Sequence, residues 1–198
     1  MRILARYVHF VDTMTEWFGK LSMYIVMLTV FVGFANVVLR YVGRFVGVRL
    51  TSNLFIELQW YLYSLIFFFG FAYILKHGIN VRVDFWYANQ SKERKAWIDI
   101  IGHLLSLLPF AILGLWVTYS PVLTSWGLRP NGEWGTWELS PDPSGLPRAP
   151  IKSMIIFAFL TLLLQGIAEM IKLYATVSGK EEELGTAVKE LQAPIRIE

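Results

Sequence analysis

The sequence predicts an all-α integral membrane protein with four transmembrane helices, an N-terminal amphipathic helix at the interface, and both termini in the cytoplasm. Three observations carry this. Hydrophobic residues make up 55% of the 198 residues, and the mean hydropathy is positive, which is too apolar for an ordinary soluble domain. The charged residues, 17% of the chain, gather between long uncharged runs, as they must where lipid excludes charge over about 20 residues at a time. Lys and Arg are also shared unequally between the two sets of connecting segments, which is the signal that orients a membrane protein.

The first segment places Ile3, Tyr7, Phe10, Val11, Met14, Trp17, Phe18 and Leu21 at helical spacing, with Arg2, Arg6, Asp12, Glu16 and Lys20 mostly on other faces. This pattern reads as an amphipathic helix lying at the membrane surface, with a polar extension of the first span as the simpler alternative. The early charges also leave no room for the short apolar core of a cleaved signal peptide, so the segment is expected to be retained.

Span one covers residues 21–39, free of charge and closed by Arg40; at 1.5 Å per residue it reaches roughly 28 Å, about one hydrocarbon thickness. Span two covers residues 55–75, is rich in aromatic side chains and is bounded by Lys76 and His77. Ser91 is placed to cap a short interfacial helix that runs into span three, residues 100–121. Pro109 is expected to kink span three and Pro121 to end it. Span four covers residues 153–171, with Glu169 near enough to its end to reach the interface. These spans form a single domain over residues 1–175, and residues 176–198 form a charged cytoplasmic tail.

Orientation follows from the basic residues. Arg2, Arg6 and Lys20, the Lys76, Arg82, Lys92, Arg94 and Lys95 loop, and the tail with Lys172, Lys180, Lys189 and Arg196 all fall on one side; Arg40, Arg44, Arg49, Arg129, Arg148 and Lys152 fall on the other. Because basic residues resist translocation, the first and richer set is expected inside.

Several function classes drop out. The net charge is only +3 and no cysteine is present, so a nucleic-acid partner has no electrostatic footprint, and thiolate catalysis, disulfides and cysteine-bound metal are excluded. No repeat of 20 to 50 residues divides the chain into homologous halves, which argues against a self-contained inverted-repeat transporter. His103 lies within span three, but a bis-histidine haem needs a second ligand at similar depth and His9 and His77 fall at the cytoplasmic edge; a hydrogen-bonded packing histidine is the preferred reading. No catalytic group, cofactor site or metal site is expected.

The polar residues of the spans suit helix contacts instead. Asn36 and Arg40 share a face of span one, and Glu57 enters span two from the same side, so an Arg40–Glu57 ion pair is expected, against simple snorkelling of each to the interface. Gln165 and Glu169 share a face of span four and are expected to hydrogen-bond to a neighbouring helix. The loop from Trp126 to Pro150 is dense in Gly, Pro and Trp. It reads either as a docking surface for a periplasmic protein or as an interfacial cover.

Taken in order, Asn36-Val-Val-Leu-Arg40-Tyr41, Glu57-Leu58 with Tyr61, Lys76-His77-Gly78, and Val81-Arg82-Val83-Asp84 resemble the small, DctQ-like permease subunit of TRAP transporters, the tripartite ATP-independent periplasmic systems. Ser140-Pro-Asp-Pro-Ser-Gly-Leu-Pro147, Lys152-Ser-Met154 and Leu164-Gln165-Gly166 resemble the branch associated with 2-oxo acids, mannitol or chloroaromatic compounds. The likeness covers residues 21–172 and departs at Trp60, where the family often has Arg, and at Asn80, where it often has His.

The resemblance implies a noncatalytic subunit of the bacterial inner membrane that scaffolds a large multi-span permease. An extracytoplasmic binding protein would deliver an organic anion, a carboxylate such as a dicarboxylate or 2-oxo acid, for sodium symport on the large subunit. Asn36, Arg40, Glu57, Arg82, Asp84 and Gln165 become the candidate structural or subunit-contact residues. A haem-binding or structural membrane anchor of a respiratory complex is the alternative.

Overall fold

The computed structural model describes residues 2–79, 84–87 and 89–180. Helix α1 spans Arg2–Val46, α2 spans Asn53–His77, and the short α3 spans Asp84–Tyr87. Helices α4 (Lys92–Gly102) and α5 (Leu108–Ser125) are joined by a π turn at His103–Leu107, and α6 spans Arg148–Val177. Helix α1, α2, the continuous Lys92–Ser125 rod and α6 are each long and apolar enough to cross a membrane. The described part of the expected tail ends at Lys180; Lys189, Arg196 and the rest of the tail lie outside the described residues.

The amphipathic segment is not a separate element. Residues 2–46 form one uninterrupted helix of about 68 Å, roughly twice a hydrocarbon thickness. Nothing in residues 2–20 breaks a helix: there is no proline, and Gly19 sits where a side chain would overlap the Tyr73 ring of α2. The face made of Val8, Val11 and Thr15 is buried, with Val8 and Val11 packed on Ala168 and Ala175 of α6. Of the apolar face that the spacing marks, Val11 is buried against α6 while Ile3, Phe10 and Trp17 are exposed, and the segment extends the first span as the simpler alternative has it.

Helix α6 is the centre of the bundle. A third of its most apolar stretch is buried, against 6–11% for the other three spans. Helices α1, α2 and α6 form a triangle, and the α4–α5 rod packs on α6. Where the triangle closes, Phe18, Phe69 and Phe157 supply one ring each: Phe18 stacks on Phe69 at 5.4 Å, and Phe157 meets both edge-on at 4.9 and 5.6 Å. These offset and edge-to-face pairings are the favourable aromatic geometries. Small residues admit close approach elsewhere: Gly114 of α5 accepts the Phe159 ring of α6, and Gly166 of α6 accepts Leu107 and Leu108.

Ser91 caps α4 by accepting from the Arg94 backbone N–H at 3.4 Å, as its position before the first helical turn predicts. Just before Pro109 the helix widens into a π turn, where the Leu108 N–H reaches back to the His103 carbonyl. Widening one turn absorbs the donor that a proline removes. Pro121 does not end the span: α5 continues to Ser125, since one proline costs a single backbone bond when the rest of the helix stays packed. The stop comes at Gly127, whose φ of +104° turns the chain out of the helix.

Candidate functional site

Two polar clasps hold the bundle, one at each end. At the end that carries the described termini, Asp12 Oδ1 accepts from Lys172 Nζ at 2.8 Å and from Gln165 Nε2 at 3.0 Å. Glu169 Oε1 accepts from the same two groups at 2.8 and 2.9 Å, and Thr15 Oγ1 donates to Gln165 Oε1 at 2.7 Å. Gln165 is fully buried, and its amide is saturated by α1 and its own helix. One turn further along α1, Glu16 Oε2 takes Lys76 Nζ at 2.7 Å and lies 3.1 Å from His77 Nε2. Lys76 also donates to the Asp12 carbonyl at 3.0 Å. Helix α1 is thereby tied to α6 and to α2 by adjacent turns.

At the opposite end the 126–147 segment folds back onto the helices. Glu57 is almost fully buried, and its carboxylate accepts from Ser140 Oγ and from the Leu146 backbone N–H. A Cβ on Gly145 would come within 2.6 Å of Glu57 Oε2, so only glycine lets the backbone approach this closely. Tyr61, one helical turn on from Glu57, donates to the Pro147 carbonyl, and Asn53 donates to the Pro143 carbonyl at 3.3 Å. Arg148 lies with Cζ 6.0 Å from the Trp60 ring centre, a cation–π placement, while its Nε is buried without a hydrogen-bond partner.

A second acidic group closes the base of the loop. Glu138 Oε2 pairs with Lys152 and accepts from Ser125 Oγ at 2.6 Å, bridging the end of α5 to the first turns of α6. The Lys152 ammonium, and then the Ser125 hydroxyl, hold the Glu138 carboxyl below its usual range. Backbone bonds from Glu138 N to Ser125 O (2.7 Å) and from Arg148 N to Glu138 O (2.9 Å) complete the closure. Trp126 Nε1 donates to Ser153 Oγ at 2.7 Å, and its ring lies 5.7 Å from that of Trp137.

The chain matches the family described as tripartite ATP-independent periplasmic transporters, DctQ component, over residues 29–176. It belongs to this family. Searches of curated proteins and of solved structures return no match. A DctQ component is part of a transporter and not an enzyme, and the haem-anchor alternative gains no support. His103 itself donates from Nδ1 to the Asp99 carbonyl at 2.6 Å, a bond within its own helix.

The six candidate residues of this DctQ component are not brought to one place. Gln165 lies in the clasp at the terminal end and Glu57 in the clasp at the loop end. Asn36 is buried on α1. Arg40 is exposed, and the expected Arg40–Glu57 pair does not form: Glu57 points at the folded-back loop, whose Ser140 hydroxyl and Leu146 N–H supply its hydrogen bonds. Arg82 lies outside the described residues, as does the side chain of Asp84 on α3. Gln165 bonds to a neighbouring helix as expected, through Thr15 and Asp12 of α1, whereas Glu169 bonds to Gln165 and Lys172 of its own helix. The partners that sequence spacing could not supply are Asp12, Thr15 and Lys172 at one end, and Ser140, Leu146 and Arg148 at the other. The proline-rich 140–147 stretch was the available signal for the second group, since such a segment holds one shape cheaply.

Replacing Gln165 with Leu strands Thr15 and removes one donor from both Asp12 and Glu169. A loss of about 1–3 kcal/mol is expected, measured as a lowered thermal midpoint in detergent; an unchanged midpoint would show that the network carries no stability. For Glu138, the folded-state value is depressed, so its contribution is complete above the unfolded carboxylate value of about 4.3 and fades as pH falls through the lower folded value. Protection of the amides of residues 126–147, taken relative to the intrinsic exchange rate at each pH, should fall only below about pH 4, and in Glu138→Gln it should already be low at neutral pH.

Proposed function

We propose that this DctQ component is the noncatalytic small membrane subunit of a sodium-coupled, binding-protein-dependent secondary transporter for organic anions. It sits in the bacterial inner membrane with both termini cytoplasmic and scaffolds the large permease subunit. The observation that carries this reading is the use made of the ionisable side chains. Asp12, Glu16, Glu169, Lys76 and Lys172 at one end, and Glu57, Glu138 and Lys152 at the other, are engaged in joining helices and loop. A subunit organised in this way is a rigid frame, and the sodium and substrate sites belong to the large partner. The resemblance of the 140–147 stretch favours a 2-oxo acid or related carboxylate as cargo.

The orientation is supported by the basic residues of the N-terminus, the 76–95 segment and the tail, which would face the cytoplasm. The 126–147 loop then faces the periplasm, where Trp134 and Leu139 stand exposed toward the binding protein.

In proteoliposomes, sodium-driven uptake of a radiolabelled 2-oxo acid is expected with the large permease, the binding protein and this chain together, and to be lost when this chain is left out. Uptake at full rate without it would end the scaffold reading. In the same preparation, a cysteine placed at Ser144 in this naturally cysteine-free chain should react with a membrane-impermeant maleimide from the periplasmic face only.

A further inference from the structure

Along α1, large apolar residues recur every seven positions over its whole length: Ile3, Phe10, Trp17, Tyr24, Phe31, Val38 and Phe45. All of them are exposed, from 40% at Val38 to 88% at Phe45. We propose that this stripe is the seat of one long helix of the large permease subunit, and that the seat continues beyond the membrane along the first turns of α1. The proposal rests on the small-subunit reading above and adds to it which face binds, and what the partner must look like.

Lipid alone does not account for the stripe. From Ile3 to Phe45 is about 63 Å at 1.5 Å per residue, while a hydrocarbon core covers about 30 Å. Within residues 21–39 almost every position is apolar, as lipid requires. Over residues 2–20 the stripe narrows to Ile3, Phe10 and Trp17, with Leu4 exposed beside Ile3 and Arg2, Arg6, His9 and Lys20 flanking it on the exposed side. This part of α1 is not free to lie down on the membrane surface. Tyr7 Oη donates to the Leu164 carbonyl at 3.1 Å, and Lys172 grips Asp12, so the axis is held along α6. The three apolar side chains therefore stand away from the bundle.

The spacing and charge define the occupant. A strict seven-residue repeat drifts about 20° per heptad on a straight helix, so a partner that follows it is itself a helix in left-handed crossing. Aromatic residues at five of these seven positions are the type that anchors protein interfaces. The carboxylates of Asp12 and Glu16 are turned inward to lysines, which leaves the outer flanks basic. A second copy of this chain in parallel would set those basic flanks against each other; a partner helix with acidic residues beside its apolar line meets them.

The test uses the complex of this chain co-expressed with its large permease. Phe10, Phe31 and Phe45, and Trp116 on the exposed face of α5 as a control, are replaced one at a time by the photo-crosslinker p-benzoylphenylalanine. Covalent adducts to the permease are expected from all three α1 positions and not from Trp116. In a chain that also carries Arg2→Glu, Arg6→Glu and Lys20→Glu, the Phe10 adduct should vanish while the Phe31 adduct persists. Permease adducts at Trp116 with none on α1 would sink the seat while leaving the subunit reading intact. Adducts of the α1 positions to lipid or to a second copy would sink it too. A preparation in which no permease accompanies the chain would overturn the subunit reading and the seat together.

Discussion

In a bilayer the space between helices is no more apolar than the lipid around them, so the hydrophobic effect that assembles soluble bundles gives helix association little help. What remains is close packing and polar bonding, and this chain concentrates each in a different place. Between its two ends the bundle is closed by rings and small residues: Phe18, Phe69 and Phe157 at the centre of the triangle, and Gly114 and Gly166 where the α4–α5 rod meets α6. The strong polar contacts are moved to the two ends. There Asp12, Gln165 and Lys172 on one side, and Glu57 with the loop on the other, are shielded enough to be strong and near enough to water to be tolerated.

The four helices of membrane length were legible because lipid imposes a length and a composition that the sequence must display. That Gln165 would bond to another helix was also legible, because a buried amide in a span needs a partner there. Which residues supply such contacts was not. Thr15 meets Gln165 across 150 residues and Glu57 meets Ser140 across 83, and no local spacing points to either. The Arg40–Glu57 expectation failed for the same reason. It paired opposite charges at the same end of two neighbouring spans, whereas a buried carboxylate is satisfied by whichever donors the fold delivers, here a hydroxyl and a backbone N–H.

The continuity of α1 shows a subtler limit. A periodic apolar face before a membrane span has two physical solutions, a helix lying on lipid or a helix standing against protein, and both have the same spacing. Only the partner distinguishes them. Val8 and Val11 find Ala168 and Ala175, small residues late in α6 that give no hint of this role until the two helices are placed side by side.

The central position of α6 also bears on how the protein is made. It follows the other three spans along the chain, yet α1, α2 and the α4–α5 rod all pack on it. Until it inserts, α1 and α2 can pair with each other but the rod has no settled neighbour, and Asp12 and Glu138 lack their lysines, both of which lie on α6. Arrival of α6 therefore settles the other three spans and neutralises one carboxylate at each end of the bundle in a single step.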